Sequence, residues 1–584
     1  MTGATHLLKD NDREVGCLHL QEKRKGNQSM SRFQVRKVAV LGAGVMGAQI
    51  AAHLVNVRVP VVLFDLPAKE GHKNGIALKA IESLKTIRPS PLGVVNDADL
   101  IQAANYEENL DLLRECDVVI EAIAERMDWK TALYHKIAPH VAPHAILASN
   151  TSGLSITTLS QTLPEEIRPR FCGVHFFNPP RYMYLVELIA TPVTQANILD
   201  DLETFCASVL GKGVVRAKDT PNFIANRVGI AGMLATMIEA EKFGLGYDLV
   251  DDLTGKKLGR ASSGTYRTAD VVGLDTMAHV IRTLQETLSA ETDPFHGSFG
   301  MPVVLARLIE RGHLGQKTRA GFFRKADDGI ERYDAASDAY VQAGQKADDA
   351  YVRILKKPAA ERLRLLHQAQ DPQGRFLWAV LRNSFHYAAV HLQDIASTAR
   401  DIDLAMRWGF GMRQGPFELW QEAGWLDVAR MIREDIEAGR ALCNAPLPQW
   451  VFSGPVADAA GVHTAQGSWN PASRRFEPRR DLPVYQRQHF PESVYGSQSR
   501  DAATAGRTVE ENDAVRLWTL DDDVLIASIK TRMQAISPDV VQALMRGIAL
   551  AEDNHQGLVI WSGTGLFSTG TDLQTLQTAY TEGG

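Results

Sequence analysis

Residues 37–65 read KVAVLGAGVMGAQIAAHLVNVRVPVVLFD, and the fold follows from this stretch. Val38–Leu41 and Val61–Phe64 are short, continuous apolar runs, the pattern of strands buried on both faces of a parallel sheet. The segment between them opens on Gly42, Gly44 and Gly47, with Val45 and Met46 starting a predicted helix. In a strand–turn–helix unit the first glycine permits the tight turn. The second lets backbone approach a pyrophosphate, and the third lets the helix pack on the sheet. The helix N-terminus adds free N–H groups for the phosphates. Asp65 closes the second strand, where a carboxylate can accept hydrogen bonds from ribose hydroxyls and repel a 2′-phosphate. NAD is therefore expected over NADP, with Lys69 the nearby cation that opposes this preference.

Outward from this unit the alternation continues. Val118–Ile120 and Ala145–Ala148 are further apolar runs, separated by helical segments, to about Val215. The pattern predicts a doubly wound α/β (Rossmann) domain over residues 35–217. Beyond Asp219 the strand signal fades and residues 222–243 read as helix, so a helical domain is expected over 218–325. Residues 326–370, opening on a stretch rich in Lys, Asp and Ala, read as linker or exposed helix. A weak internal repeat lays Asp252–Gly273 on Asp403–Gly424 without a gap, matching Gly264 to Gly415 and Tyr266 to Phe417. It predicts a second helical copy over 371–445, whose aromatic residues belong to its core. Residues 446–512, rich in Pro, Ser, Gly, Arg and Gln, read as a linker. In 513–584, residues 514–518 and 524–529 alternate like antiparallel strands, 537–553 reads as an amphipathic helix and 557–561 as a buried strand. Residues 1–34 carry no apolar core and do contain acids, against a secretory or mitochondrial leader; a disordered extension is expected.

Composition bounds the function. A chain of 584 residues, 45% hydrophobic and 23% charged, is long enough for three or four domains at roughly 150 residues each. A net charge of −6 gives no nucleic-acid surface, and no stretch reads as a membrane span. Five cysteines without ligand-like spacing argue against a metal site and fit a reducing, cytoplasmic setting.

The candidate chemistry lies at His175-Phe176-Phe177-Asn178-Pro179-Pro180, which ends one predicted strand, and at Leu185–Ile189, which forms the next. Oxidising an alcohol needs a base for the hydroxyl proton, and histidine suits that near neutrality. Glu187 on the adjacent strand could orient the ring. Spacing alone leaves open a packed or surface histidine.

These residues, with Gly42–Gly47, Glu121-Ala122-Ile123-Ala124-Glu125, Ser149-Asn150-Thr151-Ser152 and Lys218–Arg227, resemble the L-3-hydroxyacyl-CoA dehydrogenases of fatty-acid β-oxidation. The stretches follow that family's order over residues 36–325. The resemblance implies NAD-dependent oxidation of (3S)-3-hydroxyacyl-CoA, with His175 as base and Glu187 as its partner. It implies that Ser152 contacts substrate and nicotinamide, and that Asn226 holds the substrate oxygen. Glu125, Lys130 and Asn178 would touch NAD, and Lys317 would be a further cofactor-side lysine. An acyl-CoA thioester is the implied substrate, with thiolase as a candidate partner, and tandem helical copies would replace homodimerisation. Gly409–Leu419 resembles the family's helical-domain motif, from which Ser262–Thr268 departs. Acetoacetyl-CoA reduction, or a non-catalytic acyl-CoA-binding remnant, are the alternatives. Residues 514–584 resemble the opening of a crotonase (enoyl-CoA hydratase) domain, with Thr571 matching the donor of one oxyanion N–H. That reading makes the chain the first part of a dehydrogenase–hydratase fusion, without hydratase activity of its own.

Overall fold

The computed structural model describes residues 33–488, 491–497, 505–520, 523–562 and 566–573, with Gln577 and Thr581. The extension expected over 1–34 lies almost wholly outside the described residues.

The apolar runs form the strands they predict. Among the described residues eight strands make one sheet: β1 (Val38–Leu41), β2 (Val61–Asp65), β3 (Ile101–Asn105), β4 (Val118–Glu121), β5 (Ile146–Ser149), β6 (Phe171–Phe176), β7 (Leu185–Ile189) and β8 (Gly213–Ala217). Their order is β3-β2-β1-β4-β5-β6-β7-β8. All four β1 residues are fully buried, as a central strand covered on both faces requires. The order reverses between β1 and β4, and ligands of such sheets bind in the crevice beyond the strand ends at that point. Gly42 follows β1 there, and the helix Val45–Asn56 begins there. Pairing is parallel throughout except between β6 and β7, which run antiparallel and set His175 directly opposite Glu187.

The helix Ala225–Lys242 leads a helical region, and the longer helix Pro372–Ile395 packs against it. Their contact carries buried charge. Arg227 donates to Asp293 (3.1 Å) and to the Tyr387 hydroxyl (3.1 Å), while Arg382 donates to Asp435 (2.8 Å) and Glu239 (3.0 Å). Each arginine thus bonds a residue on the opposite long helix. Close approach to the following helix, Ala399–Phe410, requires a small residue, since a Cβ on Gly229 would strike the Phe410 ring. Phe376, Phe385, Phe417, Trp420 and Trp425 are buried here, as core aromatics should be.

Three details differ from the sequence reading. First, 326–370, read as linker or exposed helix, is helical only in its second part and begins in a sheet. Phe323–Ala326, Gly329–Asp334 and Ala339–Gln342 form an antiparallel sheet, and helices Asp349–Ile354 and Ala359–Gln368 follow. One face is charged and solvated, which hid the strands, while Tyr333 points inward and is fully buried. The turn signal was Asp328-Gly329, with Gly329 at φ 129°. Second, 446–512 is ordered over much of its length. His463–Thr464, Gly467–Asn470 and Arg475–Glu477 form a small sheet, Trp469 is 2% exposed, and Arg480 bonds Glu203 on the helix Ala196–Ser208 (3.0 Å). Strands of two to four residues are too short to show periodicity. Third, the repeat slips by one residue. Asp251 accepts from the Thr265, Tyr266 and Arg267 N–H groups, whereas Asp403 accepts from that of Phe417. The equivalent capping acid is Asp251, not Asp252, so a gap separates the two frames.

Residues 488–492 and 498–584 form a second compact unit. In it Arg507–Glu511, Val515–Thr519, Val524–Ile529 and Gly557–Ile560 make a sheet in that order, the last pair parallel and connected through the helix Pro538–Asn554.

Candidate active site

The dinucleotide turn fits its ligand. Gly42 adopts φ 105°, which a side chain resists, and a Cβ there would lie 2.8 Å from the Ala122 carbonyl oxygen. A Cβ on Gly47 would run into the Gly42 carbonyl, so the helix can sit this close only with glycine. Gly44 instead faces open space and Val45 is 68% exposed, leaving that backbone accessible to a pyrophosphate. Asp65 uses one oxygen on the Ala43 N–H (2.6 Å) and the other on that of Leu66 (2.7 Å). Each carboxylate oxygen keeps a lone pair for a ribose hydroxyl. Replacing Asp65 with Asn removes the charge-assisted part of those bonds, about 1.5–3 kcal/mol for a charged hydrogen bond. NAD KM should rise about tenfold or more and discrimination against NADP should narrow. Steady-state kinetics with both cofactors checks this, and unchanged NAD kinetics would remove Asp65 from the site.

Beyond the turn, an acid–lysine network shapes the cleft. Glu121, at the end of β4, is fully buried. It accepts from Lys130 Nζ (2.5 Å), Tyr134 (2.9 Å) and Ser149 (2.7 Å). Lys130 is itself buried and lies 3.9 Å from Glu125, so it reaches the cleft through Glu125. Glu125 Oε1 gathers the Thr151 hydroxyl and the Ser152 (2.9 Å) and Gly153 (2.8 Å) N–H groups. Burial pushes the Glu125 carboxyl up. The Lys130 ammonium, the Thr151 hydroxyl and the two N–H groups outweigh that and hold it below the usual carboxylate range. The Ser152 loop is therefore anchored by a charged Glu125. On its other side Asp219 bonds the Ile156 and Thr157 N–H groups (3.0 and 2.8 Å).

His175 and Glu187 form the centre. His175 Nδ1 lies 2.8 Å from Glu187 Oε2, with both residues buried. Glu187 Oε1 accepts from the Ile224 (3.1 Å) and Ala225 (2.8 Å) N–H groups. These begin the helix Ala225–Lys242, whose N-terminus favours a negative charge. With Nδ1 committed to Glu187, Nε2 is the ring nitrogen left for chemistry. The Phe177 and Phe223 rings pack on the imidazole at 4.4 and 5.5 Å. Asn226, next after the donor Ala225, is half-buried at the head of the same helix.

Other sequence candidates take different places. Asn178 is exposed and accepts from Gln49, on the helix that follows the glycine turn (3.3 Å). Lys317 bonds Asp275 (2.5 Å), at the head of the helix Leu274–Thr287. Glu121 was quoted in the sequence comparison without a role; the signal was an acid closing an otherwise apolar strand. Asn222 had no role assigned either. It sits at φ 59°, followed by Phe223 at φ 54°, and this left-handed pair aims the next two N–H groups at Glu187. Asn222 is 1% exposed, and its Nδ2 has no hydrogen-bond partner in the structure. Its Oδ1 lies near Gly153, so an unpartnered amide group is placed beside the Ser152 loop.

A doubly wound sheet with this glycine turn and its closing Asp65 defines an NAD-binding domain. The chain belongs to the 3-hydroxyacyl-CoA dehydrogenase family. Its NAD-binding domain model matches residues 37–220, and its C-terminal domain model matches twice, at 223–325 and 376–450. A Bacillus subtilis protein named "Probable 3-hydroxyacyl-CoA dehydrogenase" is 32% identical over 561 residues, covering 92% of this chain and 68% of its own. A Rickettsia felis protein named "Putative fatty acid oxidation complex trifunctional enzyme" is 30% identical over 550 residues, covering 93% of this chain and 69% of its own. The crystal structure of 3-hydroxybutyryl-CoA dehydrogenase from Escherichia coli K12 shares the fold at a TM-score of 0.54. It is 23% identical and covers 72% of this chain and 98% of its own. No helix among the described residues is long and apolar enough to cross a membrane, and no group of side chains there could hold a metal ion.

Proposed function

We propose that the chain oxidises (3S)-3-hydroxyacyl-CoA to 3-ketoacyl-CoA with NAD, as a step of fatty-acid β-oxidation. The observation that carries this reading is the buried His175–Glu187 pair, whose carboxylate is fixed by two helix N–H groups. His175 Nε2 takes the proton of the C3 hydroxyl. Glu187 holds the Nδ1 proton, fixing the tautomer, and stabilises the imidazolium that results. Ser152 and Asn226 hold the substrate oxygen, while Phe177 and Phe223 keep water from the ring. NAD, held by the Gly42–Gly47 turn and Asp65, would supply the hydride acceptor for C3. The reverse reaction, reduction of a 3-ketoacyl-CoA, uses the same groups.

The fatty-acid setting is supported by the name of the Rickettsia felis relative, and by the twofold match to the family's C-terminal domain. Tandem copies, held by Arg227 and Arg382, stand in for the contact between two subunits, and thiolase is the candidate partner for the ketoacyl product. The test is NADH formation across a chain-length series of (3S)-3-hydroxyacyl-CoAs. A folded protein that forms no NADH with any of them would overturn the reading.

The crotonase-like reading of the second unit also belongs here. Ile536 bridges Thr571 through the Gly570 carbonyl (2.8 Å) and the Asp572 N–H (3.0 Å), so the Thr571 N–H lies outside that bridge and can serve as a donor. A thioester enolate needs two such donors. Thr571 supplies one of them, and no hydration of crotonyl-CoA by the purified chain is the expected outcome; measurable formation of the 3-hydroxy product would refute this.

A further inference from the structure

A cationic cavity lies between the two helical copies, and it includes none of the residues assigned to the active site. Lys256 and Lys257 follow the helix Tyr247–Thr254, Lys356 and Lys357 follow Asp349–Ile354, and Arg362 stands in Ala359–Gln368. Arg413 comes from the loop between Ala399–Phe410 and Pro416–Glu422. Together they line about 640 Å³, ample for a small organic ligand. A smaller space of about 150 Å³ shares Lys256, Arg362 and Arg413 and adds Arg260. Its floor is apolar, with Leu381, Phe385, Met412 and Leu419.

The charges are not balanced among the described residues. Lys257 pairs with Asp252 (2.5 Å) and Lys357 with Glu361 (2.7 Å). Lys256, Arg260, Lys356 and Arg413 have no carboxylate within ion-pair distance among the described residues. Arg362 donates only to the Leu355 carbonyl (3.3 Å), and its Nε is buried without a partner. Glu422 is the one acid lining either space, and it accepts from Gln414 (2.7 Å). Burial lowers Arg362, Glu422 opposes this, and Arg413 lowers it further, so the two guanidiniums repel each other. Clustered like charges in a partly enclosed wall destabilise a fold unless an anion neutralises them.

We propose that this cavity binds a nucleotide polyphosphate. The phosphates lie against Lys256, Lys356, Arg362 and Arg413, since guanidinium and ammonium groups are the usual phosphate ligands. The base lies against Met412, the half-buried side chain of that apolar floor. Two sources share this chemistry, the nucleotide part of a coenzyme A thioester and a free nucleotide.

The test is calorimetric titration of the full chain with ADP and with coenzyme A at saturating NAD, which occupies the Gly42–Gly47 turn. The comparison is the Lys356→Gln/Arg413→Gln variant, both exposed positions that the fold does not need buried. We expect an ADP-binding event in the unaltered chain that weakens about tenfold or more in the variant, with kcat at saturating substrate unchanged. It should also weaken steeply with added salt. Tighter binding of coenzyme A than ADP assigns the site to a thioester, and equal binding assigns it to a free nucleotide. No ADP binding at saturating NAD, or equal ADP binding in both proteins, would overturn the proposal.

Discussion

Replacing His175 with alanine should lower turnover on 3-hydroxyacyl-CoA by roughly 10²–10⁴-fold, the span general-base catalysis contributes. The argument is geometric. Glu187 holds Nδ1 at 2.8 Å, and the Phe177 and Phe223 rings both pack on the imidazole, so the position of Nε2 is fixed before substrate arrives. Alanine leaves Glu187 anchored to the Ile224 and Ala225 N–H groups, so the loss should fall on kcat, with NAD affinity retained. Stopped-flow measurement of NADH formation, with a melting curve as folding control, checks this. A near-normal rate would remove His175 from the chemistry.

Replacing Arg382 with alanine should destabilise the chain by about 3–5 kcal/mol, the usual cost of stripping one partner from a buried ion pair. Arg382 is 3% exposed and bridges Asp435 on its own side to Glu239 on the opposite long helix. Its removal leaves Glu239 fully buried with Asn383 (3.0 Å) and Lys242 (3.6 Å) as partners. Replacing Arg382 and Glu239 together with leucine should recover much of the loss, because an apolar pair of similar volume needs no counter-charge. Denaturant titration of the three proteins measures both effects. A loss below about 1 kcal/mol in the single variant, the scale of an exposed pair, would mean that this contact is not a buried joint.

The sheet was legible because its strands are continuous apolar runs and its first turn must be glycine. Sequence also paired His175 with Glu187, since both stand on neighbouring strands. What it could not supply was the register that places them opposite, or the use of Glu187 Oε1 by a helix nearly forty residues further on. Lys130 was placed at NAD by the family resemblance alone; its burial under Glu121 depends on tertiary packing and is not legible in the sequence. Asn222 was obscured because an unpartnered amide is visible only in three dimensions. The hairpin sheet of 323–342 and the small sheet of 463–477 failed for a local reason. Short strands with one wet face show too few alternations to separate them from loop, and only isolated residues such as Tyr333 and Trp469 mark their inner side.

The central claim is that one fixed base removes the proton from one face of a 3-hydroxyacyl-CoA while NAD takes the hydrogen at C3. NAD reduction by the purified chain with the separate 3S and 3R forms of 3-hydroxybutyryl-CoA tests it most directly. The account predicts NADH formation with the 3S form and none above background with the 3R form. Equal rates with both forms, or reduction with the 3R form alone, would contradict it.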